Sequence, residues 1–153
     1  MRALLSSFGF AFRGLATAVR EERNFRVHLV CMAYMYAFLG LYDWFTLTRT
    51  DWALLFLANA LVLAAELFNT GIEALTDLAT RKRHPLAAVA KDCAAAGVLV
   101  CALCAVAVGI AVLFQPAAFA SMFAYYRTHI AMLVAFVLSL GVAGVFIFGK
   151  GKK

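Results

Sequence analysis

Long apolar runs alternate with short polar, mostly basic segments along the whole chain. In the first polar segment Phe8, Phe12, Leu15, Ala16 and Val19 recur at helical spacing, while Arg13, Arg20, Glu21 and Arg23 fall elsewhere on the wheel. This predicts an amphipathic helix over about residues 6–26, and a basic face with aromatic anchors places such a helix in the membrane interface. A first span is expected from about Val27 to Trp44, ending in the interfacial aromatics Tyr42 and Trp44. After a polar turn, Asp51 is the expected N-cap of a second span over about residues 52–79. A third follows over about 88–114, stopped by Gln115-Pro116, and a fourth over about 129–148, ending in a basic tail.

Composition excludes the soluble alternatives. The 153 residues are 65% hydrophobic and 14% charged, with a mean hydropathy of +0.90, which is more apolar surface than a soluble domain of this size could hide. Disorder is excluded by the same values, because disordered chains are polar and poor in aromatics. The reading is an all-α integral membrane bundle: a surface helix plus four transmembrane helices. No cleavable signal peptide is expected, since the stretch Ala3–Phe12 is short and broken by Ser6 and Ser7.

Charge then sets the orientation. A net charge of +6 could suggest nucleic acid, but the basic residues form three blocks, Arg2 to Arg26, Arg81 to Lys91 and Lys150 to Lys153, separated by apolar runs. With the N-terminus in the cytoplasm, twelve of the fourteen Lys and Arg lie inside and only Arg49 and Arg127 outside. That bias predicts both termini in the cytoplasm and no nucleic-acid partner. Cys31, Cys93, Cys101 and Cys104 all lie in apolar runs and read as small packing residues, with no disulfide framework.

The second span carries the chemistry. Glu66, Asn69, Glu73 and Asp77 are spaced 3, 4 and 4 apart, so at 100° per residue they share an arc of roughly 80° on one helix face. Carboxylates on an otherwise apolar helix are expensive in a membrane and mark a site or pathway. Glu66 lies roughly 21 Å from the outer end of the helix, near the inner edge of the hydrocarbon. A bland reading, a long helix with a wet charged end, suits Asp77 better than Glu66, because Leu67, Phe68 and Ile72 still read as buried or lipid-facing. Glu21, Glu22, His84, Lys91 and Asp92 gather at the same inner surface. Hard oxygen ligands suit Mg²⁺ with phosphates, a lysine suits phosphate oxygens, and a carboxylate suits proton removal from an alcohol. No P-loop, G-x-G-x-x-G or H-R-D motif is present. From the residues alone, a proton or cation relay explains the stripe about as well.

Four motifs carry a resemblance. They are F-x-x-A-F-R-G at 8–14, E-R-N-F-R-V-H at 22–28, A-E-L-x-N-T-x-I-E-A-x-x-D at 65–77 and H-P-L-A-x-x-A-K-D-x-A-A-x-x-V-L at 84–99. In this order and spacing the chain resembles the small prokaryotic diacylglycerol kinases and the related undecaprenol kinases over about residues 6–115. The resemblance implies a homotrimeric lipid kinase of the bacterial cytoplasmic membrane, using ATP and Mg²⁺ at a site facing the cytoplasm. It implies that Glu66 is the base on the lipid hydroxyl and that Glu22 and Glu73 hold metal with the ATP phosphates. Arg13, Asn69, Asp77, His84, Lys91 and Asp92 would line the nucleotide, with Arg13 also near the lipid headgroup.

Three departures accompany it. Gly71 stands where the family usually has Ala or Ser, which would ease close packing or loosen the helix. Lys82 stands where some members carry an acid, and a fourth span is added. Residues 1–118 are therefore read as the kinase unit and 119–153 as an added helix and basic tail, expected to be scaffold. The N-F-R-V-H and H-P-L-A-x-x-A-K-D stretches look closer to the undecaprenol-type branch, which favours undecaprenol over diacylglycerol as substrate.

Overall fold

A computed structural model of the chain describes residues 2–80 and 82–149. The expected basic tail at 150–153, and Arg81 of the basic loop, lie outside the described residues. Every regular element among the described residues is helical: α1 (Arg2–Glu21), α2 (Arg23–Leu41), α3 (Arg49–Ala79), α4 (Pro85–Leu113), α5 (Pro116–Thr128) and α6 (Ile130–Phe148). Three of them, α3, α4 and α6, are long and apolar enough to cross a membrane. The helix α2 is not among these, because its first two turns carry Arg23, Asn24, Arg26 and His28.

Several expected boundaries move. The surface helix stops at Glu21 rather than Arg26, because Glu22 adopts an extended conformation (φ −98°, ψ 112°) that breaks the chain into α1 and α2. At the start of α3 the N-cap is Thr48, not Asp51. Asp51 is the third helical residue of a capping box, its Oδ2 accepting from Thr48 N at 2.8 Å while Thr48 Oγ1 accepts from Asp51 N at 3.2 Å. The helix α4 begins at Pro85, whose missing N–H costs nothing at a first helical position, with His84 as its N-cap. No element is expected between the last two spans, yet Pro116–Thr128 forms α5, which contains the 118/119 boundary between the two expected units.

The buried core is a narrow seam. Ala18 of α1, Phe25 of α2, Leu55, Ala58 and Val62 of α3 and Ala118 of α5 are its apolar members. On α3 the buried positions Leu55, Ala58, Val62, Glu66 and Asn69 follow one another at spacings of three and four, so the apolar inward stripe runs straight into the polar one. Asn59 Nδ2 donates to Tyr36 Oη at 2.8 Å, which joins α3 to α2 between the membrane faces. Neither α4 nor α6 has a buried residue, and many of their apolar side chains face outward, as lipid-facing surfaces do.

The helix α6 lies against α2. Tyr34 Oη and Ser139 Oγ are hydrogen-bonded at 2.8 Å, and the Phe136 ring meets Tyr34 and Phe38 edge-on. At the opposite end from Glu22, Tyr42, Trp44, Tyr125 and Tyr126 form an aromatic cluster. Gln115 ties the connection after α4 to the one before α3, accepting from Thr46 N and donating to Thr46 O at 3.1 Å each. A Cβ built on Gly71 meets nothing within 4 Å, and α3 is continuous through it. That glycine therefore serves neither close packing within the chain nor a break.

Candidate functional site

The site grows out of the inward stripe of α3. Val62 and Glu66 are one helical turn apart, so the turn that buries Val62 also buries Glu66, which is 2% exposed. The Thr70 hydroxyl donates back to the Glu66 carbonyl at 3.0 Å, which leaves the helix intact at this point. Across the seam, His28 of α2 brings Nε2 to 3.4 Å from Glu66 Oε1. The alignment is not that of a hydrogen bond, and Glu66 Oε1 is buried without a hydrogen-bonding partner among the described residues. A carboxylate oxygen held this way is costly, because burial removes its water and gives nothing back. It is poised for a donor that arrives from outside the chain.

One turn further on, Asn69 Nδ2 donates to Glu73 Oε1 at 2.9 Å and fixes that carboxylate, while Asn69 Oδ1 is buried and has no partner. The break between α1 and α2 carries Glu22 toward the same place: Glu22 and Glu73 are the two charged neighbours whose fields act on Glu66. The structure thus brings together three of the expected residues, Glu66, Asn69 and Glu73, on one face of α3, with Glu22 near enough for its charge to act on Glu66. Among the described residues no group of three or more His, Cys, Asp or Glu forms an all-protein metal cage. Two carboxylates, one of them pinned by an amide, instead fit Mg²⁺ bound through one or two carboxylates plus substrate phosphates.

A second cluster sits at the tip of the α3–α4 hairpin. Asp77 Oδ1 and Lys91 Nζ are paired at 2.5 Å. They border an open cleft of about 980 Å³ that Thr80, Lys82, Arg83 and His84 also line. His84 has a local task as well, since its Nδ1 accepts from Leu86 N at 3.2 Å to cap α4. Lys82, the basic departure in this loop, donates its backbone N–H to Thr80 Oγ1 at 3.2 Å.

Two expected residues are not brought to either cluster. Arg13 is exposed on α1 with its guanidinium 4.6 Å from the centre of the Phe10 ring. Asp92 is exposed, and its side chain makes no hydrogen bond or ion pair among the described residues. Two others enter that the sequence left without a role, His28 and the buried Arg26. An ionisable side chain inside an apolar span is the signal that could have marked His28.

Sequence comparisons with known proteins cover the helices that carry these residues. A sequence model described as prokaryotic diacylglycerol kinase matches residues 9–113, more than two thirds of the chain, and its end coincides with the end of α4. A diacylglycerol kinase of Synechocystis is 39% identical over 114 residues, covering 74% of this chain and 63% of that protein. The chain thus spans less than two thirds of that relative's length. An undecaprenol kinase of Bacillus subtilis is 36% identical over 118 residues, 76% of this chain and 91% of that protein. A diacylglycerol kinase of Pseudomonas aeruginosa is 32% identical over 92 residues, 60% of this chain and 72% of that protein.

Proposed function

The chain belongs to the prokaryotic diacylglycerol kinase family, and from that premise we propose that it phosphorylates the hydroxyl of a membrane lipid alcohol. ATP is the phosphate donor and Mg²⁺ the cofactor of this reading. The observation that carries it is the buried Glu66 carboxylate, whose Oε1 has no hydrogen-bonding partner among the described residues. Such an oxygen suits a general base that accepts the proton of the incoming hydroxyl. As the lipid oxygen bonds to the γ-phosphorus, the bond to the bridging oxygen of ADP breaks and the lipid proton passes to Glu66.

Glu22 and Glu73 are the residues that would hold Mg²⁺ with the nucleotide phosphates. The ion, when bound, neutralises charge on those phosphates. Asn69 orients Glu73 through its amide. The hairpin-tip cleft, with Lys91, Lys82, Arg83 and His84, offers the cationic surface for the remainder of the nucleotide. Asp77 holds Lys91 in place there, and Asp92 and Arg13 would join only from a neighbouring copy or a moved α1.

We assign the inner end of the bundle to the cytoplasm of a bacterial inner membrane, with α2 as a fourth span and both termini inside. The basic blocks support this, and so does the pairing of the start of α2 with the end of α6. The outward apolar faces of α3 and α4 suit association into a homotrimer. The division proposed is a kinase unit within residues 1–118 and a C-terminal addition within 119–153, the connecting α5 lying across the boundary. Undecaprenol is the favoured acceptor, on the sequence of the 24–28 and 84–92 stretches. The relatives above are named as kinases, which does not favour an ion-relay reading.

The test is ATP-dependent phosphate transfer by purified protein in mixed micelles, with undecaprenol and diacylglycerol offered separately and Glu66→Gln as control. Transfer to one lipid that disappears in the variant supports the reading and identifies the acceptor. Absence of transfer to either lipid by folded protein overturns it.

A further inference from the structure

Arg26 is 7% exposed, and among the described residues its guanidinium donates only to the carboxyl ends of two helices far apart in sequence. Its Nη1 donates to the carbonyls of Val19 at 3.1 Å and Arg20 at 2.9 Å, in the last turn of α1. Its Nε and Nη2 donate to the Ile147 carbonyl at 3.1 and 3.0 Å, and Nη2 reaches the Gly149 carbonyl at 3.4 Å. The last carbonyls of a helix have no partner within it and carry the negative end of its dipole. A guanidinium, planar and with five donors, can cap two such ends at once where a lysine cannot.

Glu22 sits inside this clamp. Its N–H donates to Ala18 O at 2.9 Å and its carbonyl accepts from Arg26 N at 3.3 Å. The extended residue that breaks α1 from α2 is thus bracketed by the carbonyls Arg26 caps and by Arg26 itself. No glycine or proline at 21–23 fixes this bend, so its geometry depends on the side-chain bonds around it. Of the five bonds that the Arg26 guanidinium donates among the described residues, three go to the end of α6 and the residue after it. Without α6 the cation would be buried with unmet donors, which is costly enough to move it.

We propose that Arg26 is a positioning residue for Glu22, and that the C-terminal helix serves the catalytic site by holding Arg26 through its terminal carbonyls. This rests on the reading of Glu22 as a residue that meets the metal–nucleotide complex. It gives the added helix a role at the site rather than that of passive scaffold.

The experiment uses the full chain in nanodiscs. Binding of a fluorescent ATP analogue with Mg²⁺ is measured beside the KM for the lipid acceptor. Arg26→Lys keeps the charge and loses the double cap, and should weaken analogue binding by about tenfold, as loss of a residue supporting a metal ligand does. The lipid KM should stay within about twofold, since binding and lipid recognition use different groups. Combined with Glu22→Gln, Arg26→Lys should cost no more than the worse single change, because a misplaced Glu22 has nothing left to lose.

An alanine inserted between Gly141 and Val142 turns the end of α6 by about 100° and shifts it by about 1.5 Å. It leaves Ser139 against Tyr34, and should reproduce Arg26→Lys and add nothing to it. Parent-like analogue binding in Arg26→Lys, effects that multiply with Glu22→Gln, or equal losses in analogue binding and lipid KM would each overturn the proposal. A parent-like insertion variant would overturn the part assigned to α6. If Glu22→Gln itself binds the analogue as the parent does, the reading of Glu22 falls, and the proposal with it.

Discussion

His28 Nε2 stands 3.4 Å from Glu66 Oε1, the only described basic group paired with the buried carboxylate of the candidate site. The two come from different helices, so the pair reports how α2 and α3 are set against each other. Glu66→Gln keeps the shape of the side chain and removes its basicity, and turnover should fall by about 10²–10⁴-fold with nucleotide binding unchanged. His28→Ala frees the carboxylate to turn, and should lower kcat by about tenfold, because small misplacements of a reacting group are costly. His28→Gln, which keeps a polar side chain of similar reach against the carboxylate, should recover most of that loss. Steady-state kinetics on the three variants check the assignment, and equal rates for His28→Ala and the parent would refute it.

Asn69 and Glu73 provide a sharper test of the metal reading. Glu73→Gln removes a charge, whereas Asn69→Ala only releases the carboxylate that Asn69 Nδ2 holds. Both should raise the Mg²⁺ concentration needed for half-maximal rate, the first by more than the second, and supporting residues of this kind are worth about 10–100-fold. The lipid KM should move little in either. Magnesium titrations at fixed ATP separate these outcomes, and an unchanged requirement in Glu73→Gln would remove that residue from the metal site.

How much of this was visible in the sequence depended on how local its cause is. The polar face of α3 was legible because spacing alone puts Glu66, Asn69 and Glu73 on one side, and the structure buries Glu66 and Asn69 and half-buries Glu73. The break at Glu22 was not, because no glycine, proline or capping residue marks it. The side chain that caps the helix end beside it, Arg26, has its other partners at Ile147 and Gly149, more than a hundred residues away. The short helix α5 was hidden for another reason. Its 13 residues mix aromatics with polar groups and lack the length of a span. Its start at Pro116 reads equally well as the end of the preceding helix.

The cap of α3 should affect stability and nothing else. Thr48 and Asp51 form their reciprocal bonds at the far end of α3 from Glu73, with the candidate site beyond Glu66. Thr48→Ala leaves an unpaired N–H at the helix start and should lower stability by about 1 kcal/mol. Catalytic constants should stay at the parent's values. Thermal unfolding in detergent, run beside the kinase assay, would detect the separation, and a loss of activity without loss of stability would contradict it.

Lys91 should behave in the opposite way. Its ion pair with Asp77 is wet, with the two side chains 36% and 69% exposed, and exposed pairs of this kind contribute only about 0–1 kcal/mol to folding. Lys91→Met keeps the length of the side chain, so the unfolding midpoint should barely move. A phosphate oxygen that loses a charged donor gives up about 1.5–3 kcal/mol of binding. By the relation between free energy and affinity, that weakens ATP by about tenfold or more. Asp77→Asn releases the same lysine without removing it, and should raise the KM for ATP by less than Lys91→Met does. If the two variants instead lose stability together and leave the KM for ATP untouched, the pair is a strut of the hairpin tip and the cleft beside it is not where the nucleotide binds.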